Sequence, residues 1–393
     1  MSGALYLAWR YLAYHRIKSG ILVASITLIV FLPAGLQVLV RESARDLTAR
    51  AESTPLLVGA RGSRIELVLS ALYFETDPPA DARYAEVARI AETGWADPIP
   101  LHARFHARSQ PIVGTTLEYL DFRGLRVAAG RRFALLGECV VGARAARELG
   151  VGPGDAVLSS PETVFDLTGS YPLRMRVAGV LAPSHTPDDD AVFVDLKTAW
   201  VMQGLGHGHQ DLGRPEAEAA VLGRDGDRIT ANASVVEYNE ITPENAGSFH
   251  FHGELGEFPV TAVIARPHDA KSAVLLRGRY TAPDDPVQIL TPNGVMSELL
   301  ETVLTIERWV VAAISAVGVA TLATASLVFL LSIRLRRREI ETLVKIGGAR
   351  ASIATLLAGE VVFVVVVGAA LAGLLTLLAS RFGGTVLRSL LLS

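Results

Sequence analysis

Residues 21–40, 309–333 and 361–379 contain no Asp, Glu, Lys or Arg. At a helical rise of about 1.5 Å per residue each run covers roughly the 30 Å hydrocarbon core of a bilayer. Composition points the same way: 50% of the 393 residues are hydrophobic and 20% charged, and the apolar excess gathers near both ends instead of being spread through one core. The first run is longer than the roughly 7–15 residues of a signal-peptide apolar region, so it reads as a span. Pro33 inside it predicts a kink. The expected fold is therefore membrane α-helical with three spans, plus an α+β domain with a mixed sheet held outside.

Basic residues set the orientation, because Lys and Arg near spans are retained on the cytoplasmic side. Arg10, Arg16 and Lys18 precede the first run; Arg334, Arg336, Arg337, Arg338, Lys345 and Arg350 lie between the second and third. The expected order is a cytoplasmic amphipathic segment at 1–18, spans at 19–40, 306–333 and 353–380, an extracytoplasmic domain at 41–305, a cytoplasmic loop at 334–352 and a short tail at 381–393. Along residues 4–16, Leu5, Trp9, Leu12 and Ala13 can line one helical face, as in an interfacial helix.

The outer region shows both strand and helix signals. Residues 143–149 read as a short alanine-rich helix stopped by Gly150, and residues 152–155 as a turn. Strands are expected at 173–181, 192–194 and 258–265, a helix at 196–203, and a helix from 298 leading into the second span. The single cysteine, Cys139, allows neither an internal disulfide nor a cysteine-based metal site. The formal net charge of −3 and the 7% aromatic content argue against a nucleic-acid partner. Neither a phosphate-binding loop, a G-x-S-x-G elbow nor an H-E-x-x-H pair is present, so the chain is not expected to be an enzyme.

The segment RRREIETLVKIGG at 336–348 resembles the basic loop of MacB/FtsX-like ABC transporter permeases. Glu360, which opens the third span, is similar to an acidic residue of that family. So is VVGARAARELGVGPGDAV at 140–157 to its G…A..LG…GD turn, and VAGVLAPSHTPDDDAVFVDL at 177–196 to its strand–turn–strand ending in FVDL. LLVGARGSRIELVL at 56–69 resembles the stretch after the first span in a subset of members. The family usually has four spans; here the sequence stops soon after the third, as a shortened member or a truncated gene model would.

The resemblance implies a multi-pass permease subunit of a bacterial inner membrane, paired as a homodimer or with a related permease. It also implies a separate cytoplasmic ABC ATPase that binds the ATP and magnesium, and it leaves room for a periplasmic partner. The permease would couple hydrolysis in that ATPase to movements of the outer domain, for export or envelope substrate handling. The rival reading is a membrane-anchored receptor or regulator whose outer domain binds a ligand.

Several residues are candidates for function. In the loop that includes Arg338, the residues Glu339, Ile340, Leu343 and Val344 fall at near-helical spacing, with the apolar three on one face, and Gly347 with Gly348 ends the run. They read either as an ATPase-coupling helix or as basic anchoring to anionic lipid. An acidic group such as Glu360 at a membrane edge is costly unless paired or wet, which makes it functional by default. Gly368 and Ala372, with Ala369 and Gly373, are spaced four apart and permit close helix packing, across a dimer seam or within the chain. Of nine histidines only His15 lies outside residues 41–305. His207 and His209 sit in a glycine-rich stretch, and His250 and His252 flank Phe251. In an extended chain, residues two apart share a face, so these histidines read as surface loop residues or as zinc ligands, with Asp188, Asp189, Asp190 and Glu254 as possible oxygen donors.

Overall fold

The computed structural model describes residues 6, 10, 12–14, 16–75, 80–160, 172–209, 221–225, 228–231, 238–335, 338, 341–342, 345 and 350–391. The chain divides into two compact units, Met1–Thr48 with Glu298–Ser393, and Ala49–Ser297.

The first unit is built on three long helices, α1 (Arg16–Glu52), α2 (Pro292–Leu335) and α3 (Arg350–Leu391). Each contains an apolar segment fit to cross a bilayer: Ser19–Arg41, Pro292–Thr324 and Ala358–Arg381. Only 6%, 6% and 17% of the apolar 18-residue window in each is buried against the chain itself, so the rest needs an apolar surrounding. Val317, Val319 and Leu377, each about two-thirds exposed, are on that outer surface. The helices touch where side chains are small. A Cβ on Gly368 would meet Ile26 Cγ2 at 2.8 Å, and one on Gly318 would meet Ile29 Cγ2 at 3.0 Å. Thr27 Oγ1 donates to the Gly368 carbonyl at 3.2 Å, a polar contact at a buried helix crossing.

Helix α1 runs unbroken through Pro33. The helices extend beyond the charge-free runs of the sequence. α1 continues to Glu52, and α2 begins at Pro292, whose fixed φ suits the first helical position. The second compact unit runs from Ala49 to Ser297. α3 continues to Leu391 through the stretch expected as a tail, where no proline intervenes.

The outer unit is organised by a ten-stranded mixed sheet. Its strands are β1 (Leu56–Ala60), β2 (Ala96–Ala107), β3 (Gln110–Thr115), β4 (Val127–Gly130), β5 (Glu138–Val141), β6 (Ala156–Leu158), β7 (Arg174–Leu181) and β8 (Val192–Asp195). The short strands β9 (Gly206–Gly208) and β10 (Phe249–Phe251) form a separate ribbon, and β11 (Ala262–Pro267) and β12 (Val287–Leu290) complete the sheet. The order is β12-β1-β11-β2-β3-β8-β5-β7-β4, with β6 also on β7. β3 with β8 and β5 with β7 are parallel; the other pairs are antiparallel. Along β7 the burial alternates, as a strand with one face on a core requires. The expected strand at 258–265 is two pieces, Pro259–Val260 and β11; between them the Thr261 hydroxyl accepts from the Ala103 amide at 3.0 Å.

Two apolar cores pack on the sheet. One gathers Cys139, Met175, Val192 and Val194; the other gathers Trp200, Phe258, Val260 and Leu276. Trp200 is 1% exposed and satisfies its indole by donating to the Pro259 carbonyl at 2.8 Å, the partner that a buried indole requires.

Candidate functional site

The last turn of α1 lies in the outer unit and carries Arg50, whose side chain is 4% exposed. Its guanidinium meets Asp188, 1% exposed, in a two-pronged pair: Nη1 to Oδ2 at 2.6 Å and Nη2 to Oδ1 at 2.9 Å, the strong fork geometry of arginine and carboxylate. Nη2 also donates to Tyr119 Oη at 2.8 Å, Nε donates to the Leu72 carbonyl, and Tyr119 Oη donates to Asp188 Oδ1 at 2.7 Å. Arg123 ties the same turn down through Ser53 Oγ at 3.0 Å and Thr54 Oγ1 at 2.9 Å.

All three guanidinium nitrogens of Arg50 and both carboxylate oxygens of Asp188 are bonded, which is the condition for holding charge in a dry site. Burial alone would raise the Asp188 carboxyl; the Arg50 charge and its hydrogen bonds hold it below the ordinary range. Burial likewise opposes the Arg50 charge, but Tyr119 and Asp188 keep it firmly protonated. Burial pushes the Tyr119 hydroxyl up to about 12.

The seat of this clamp is made from two of the sequence segments that carry the outer-domain resemblance, 140–157 and 177–196. β5 lies between β7 and β8, and the turn between those two strands holds Asp188. Gly142, just after β5, is required there: a Cβ would overlap the Asp188 carbonyl oxygen, so only a residue without one permits the approach. The Gly142 amide donates to Ala191 O at 2.8 Å. Phe193, from the FVDL element, packs with its ring 5.6 Å from that of Tyr119.

The three aspartates do not stand ready to bind metal. Asp188 serves Arg50; Asp189 accepts from the Ser184 and His185 amides, both at 2.8 Å; Asp190 pairs with Arg144 at 2.7 Å. Each of the three carboxylates thus already has a protein partner: Asp189 within the turn, Asp188 and Asp190 outside it. Arg50 is invisible to the sequence reading because its partner is 138 residues away. The available signal is an arginine near the end of the first helix, which resembles an ordinary interfacial charge.

His207, His209, His250 and His252 come together. β9 and β10 pair antiparallel with His207 opposite His250, Gly206 opposite Phe251 and Gly208 opposite Phe249. One face of the ribbon carries glycine and phenylalanine. Added Cβ atoms at Gly206 and Gly208 would meet the Phe251 and Phe249 rings at 2.6 and 2.5 Å. Those rings in turn pack on the two cores. By the period of two, the imidazoles occupy the other face. The His207 ring is 4.7 Å from His250 and 4.9 Å from His252, and His209 is 5.3 Å from His250.

Of the coupling-loop candidates, Arg338 is helical and exposed; Glu339, Ile340, Leu343, Val344 and Gly347 lie outside the described residues. Leu5 and Trp9 of the first segment also lie outside them, while Leu12 is helical and buried. Glu360 is 3% exposed within α3. Gly368 faces the chain's own α1, Ala372 is buried, and Gly373 is open. Cys139 is a core thiol, pushed up to about 12 by burial, and so unreactive. His102 is fully buried, and burial lowers it to about 4; its Nε2–H donates to Gln203 Oε1 at 3.0 Å, a bond that favours the charged ring but is outweighed by the burial.

Residues 20–237 match the MacB-like periplasmic core domain family. No curated protein matches the chain. Among solved structures, the extracellular domain of the noncanonic ABC-type transporter YknZ from Gram-positive bacteria is similar at 13% identity and a TM-score of 0.32, covering 60% of this chain and 98% of its own. The periplasmic region of MacB from Actinobacillus actinomycetemcomitans is similar at 10% identity and a TM-score of 0.34, covering 66% of this chain and 97% of its own. A domain of a putative permease protein from Porphyromonas gingivalis aligns at 11% identity and a TM-score of 0.26, covering 60% of this chain and 86% of its own.

Proposed function

The chain belongs to the MacB/FtsX-like permease family, whose periplasmic core domain it carries, and from that premise we propose that it is the membrane subunit through which a separate cytoplasmic ABC ATPase moves an outer domain. The observation that supports this most is α1, an unbroken helix of 37 residues. At about 1.5 Å per residue such a helix extends roughly 55 Å, well beyond a hydrocarbon core of about 30 Å. The helix enters the outer unit without a break and ends in the buried Arg50–Asp188 pair. A stiff helix fixed at one end by paired, directional bonds transmits displacement; a flexible linker would absorb it.

The drive enters at the loop between α2 and α3. By their spacing in the sequence, Ile340, Leu343 and Val344 would share an apolar docking face next to Arg338 and Glu339, with Gly347 as the helix stop. The bacterial inner membrane is the setting, and two copies or two related permeases face a pair of ATPase subunits. ATP and magnesium belong to the ATPase. The outcome is export or handling of an envelope substrate.

Purification from native membranes tests the assignment. The chain is expected to bring down an ABC ATPase, and the reconstituted pair to lose its permease-stimulated ATP turnover in Leu343→Asp while both subunits remain associated with the membrane. A chain that emerges with no nucleotide-binding partner, or a Leu343→Asp pair with unchanged turnover, contradicts it.

A further inference from the structure

We propose that the histidine face of the β9–β10 ribbon is a binding site for a borderline divalent transition ion, zinc foremost, held by His207, His209 and His250 with His252 at its edge. Donor atoms of the first three lie within 4.8 Å of one another. A tetrahedral zinc with bonds near roughly 2.0–2.1 Å needs its nitrogens about 3.4 Å apart, so modest side-chain rotation closes the set. The His252 ring stands 4.8 Å from that of His250, near enough to take the fourth position, which water fills otherwise.

The chemistry of the donors selects the ion. The three central ligands are imidazoles, and the chain's only thiol, Cys139, is buried in a core. Calcium and magnesium require oxygen shells, whereas imidazole suits zinc, copper and nickel. His250 is already arranged as a ligand. Its Nδ1 lies 3.0 Å from the Ser248 carbonyl, which can only accept, so in the neutral ring Nδ1 carries the proton and Nε2 is the atom with a lone pair for a metal. That backbone partner fixes the tautomer and the ring direction as a supporting hydrogen bond does in a metal site.

The ribbon is also anchored for the task. Gly206 and Gly208 leave room for Phe251 and Phe249 to lie against the strand, and these rings engage the two cores. The register that puts the phenylalanines inward puts His207 opposite His250 on the other face, and a shift of one residue would reverse both. An ordinary scatter of surface histidines needs none of this alternation. The site stands independently of the coupling to an ATPase.

The test uses the full chain, purified in detergent without a polyhistidine tag, stripped with chelator and titrated with zinc chloride by calorimetry, then with cobalt chloride by visible absorption. The expected result is about one zinc per chain at micromolar or tighter affinity, and the intense visible bands of a four-coordinate cobalt ion. The His207→Ala/His250→Ala chain should lose at least about tenfold in affinity, the order seen when a site's support is removed. His106→Ala, at an exposed histidine outside the ribbon, should bind as the unaltered chain does. Near-ultraviolet circular dichroism establishes that the double variant is folded, and His250→Gln, with the same expected loss, serves if it is not. Absence of binding at tens of micromolar zinc, or equal binding by the unaltered chain and the folded variants, overturns the proposal.

Discussion

His102 and Cys139 are polar-capable residues whose surroundings remove their usual chemistry. Cys139 is held as a neutral thiol by the core around it. His102 is neutral because its ring is dry, and protonating it would place a charge where Nδ1 has no hydrogen-bond partner. The sign of the pH effect follows. The folded value, about 4, lies below the ordinary 6.5, so the unfolded chain binds a proton that the folded chain refuses. Stability is full above about pH 6.5 and falls as the pH drops toward about 4, by about 3 kcal/mol across the window. Urea unfolding followed by the fluorescence of the chain's four tryptophans should show this loss, and His102→Leu should flatten the profile between those limits. Neither surrounding can be read from the sequence: a histidine in an alternating strand looks the same whether its face is wet or dry. Gly142 is legible only as part of a resembling motif; its reason, the Asp188 carbonyl pressed against its α-carbon, is a contact between distant segments.

Among the elements, the spanning helices are the most readable, because a long charge-free run has one economical solution in a bilayer. Their ends are less so. α1 continues to Glu52 and α2 begins at Pro292, beyond the charge-free runs that mark the spans in the sequence. The short helix at Ala143–Leu149, with Gly150 at φ 70°, is legible from its alanines and its glycine stop. The clamp at the end of α1 carries a definite energetic expectation. In Asp188→Ala the Arg50 charge is left buried without its carboxylate, and breaking such a pair costs about 3–5 kcal/mol. Asp190→Ala removes only a partly exposed partner of Arg144 and should cost under about 1 kcal/mol. Thermal melts of the two variants in detergent distinguish these outcomes; equal melting temperatures would show that the pair does not secure the helix. The histidine ribbon is half legible. The i, i+2 spacing within each strand is visible, but the pairing that joins the two strands spans a sequence stretch that gives no local sign of it.

For the whole molecule, the topology of a large domain between the first and second spans follows from the apolar runs and the basic loop, and the mixed sheet follows in class from its strand and helix signals. The strand order does not: β1 pairs with β11 and β12 from the far end of the domain, a closure that only three-dimensional packing specifies. The central claim is that nucleotide state moves the outer domain through the membrane helices. Because Cys139 is buried and unreactive, cysteines introduced as Arg147→Cys and Glu301→Cys, both exposed positions, can carry spin labels alone. Pulsed electron resonance on the doubly labelled permease, reconstituted with its ATPase in nanodiscs, measures the distance between outer unit and spanning helix directly. The account predicts that the distribution shifts between ATP and ADP and that Leu343→Asp abolishes the shift; identical distributions in the two nucleotide states of a turning-over complex would contradict it.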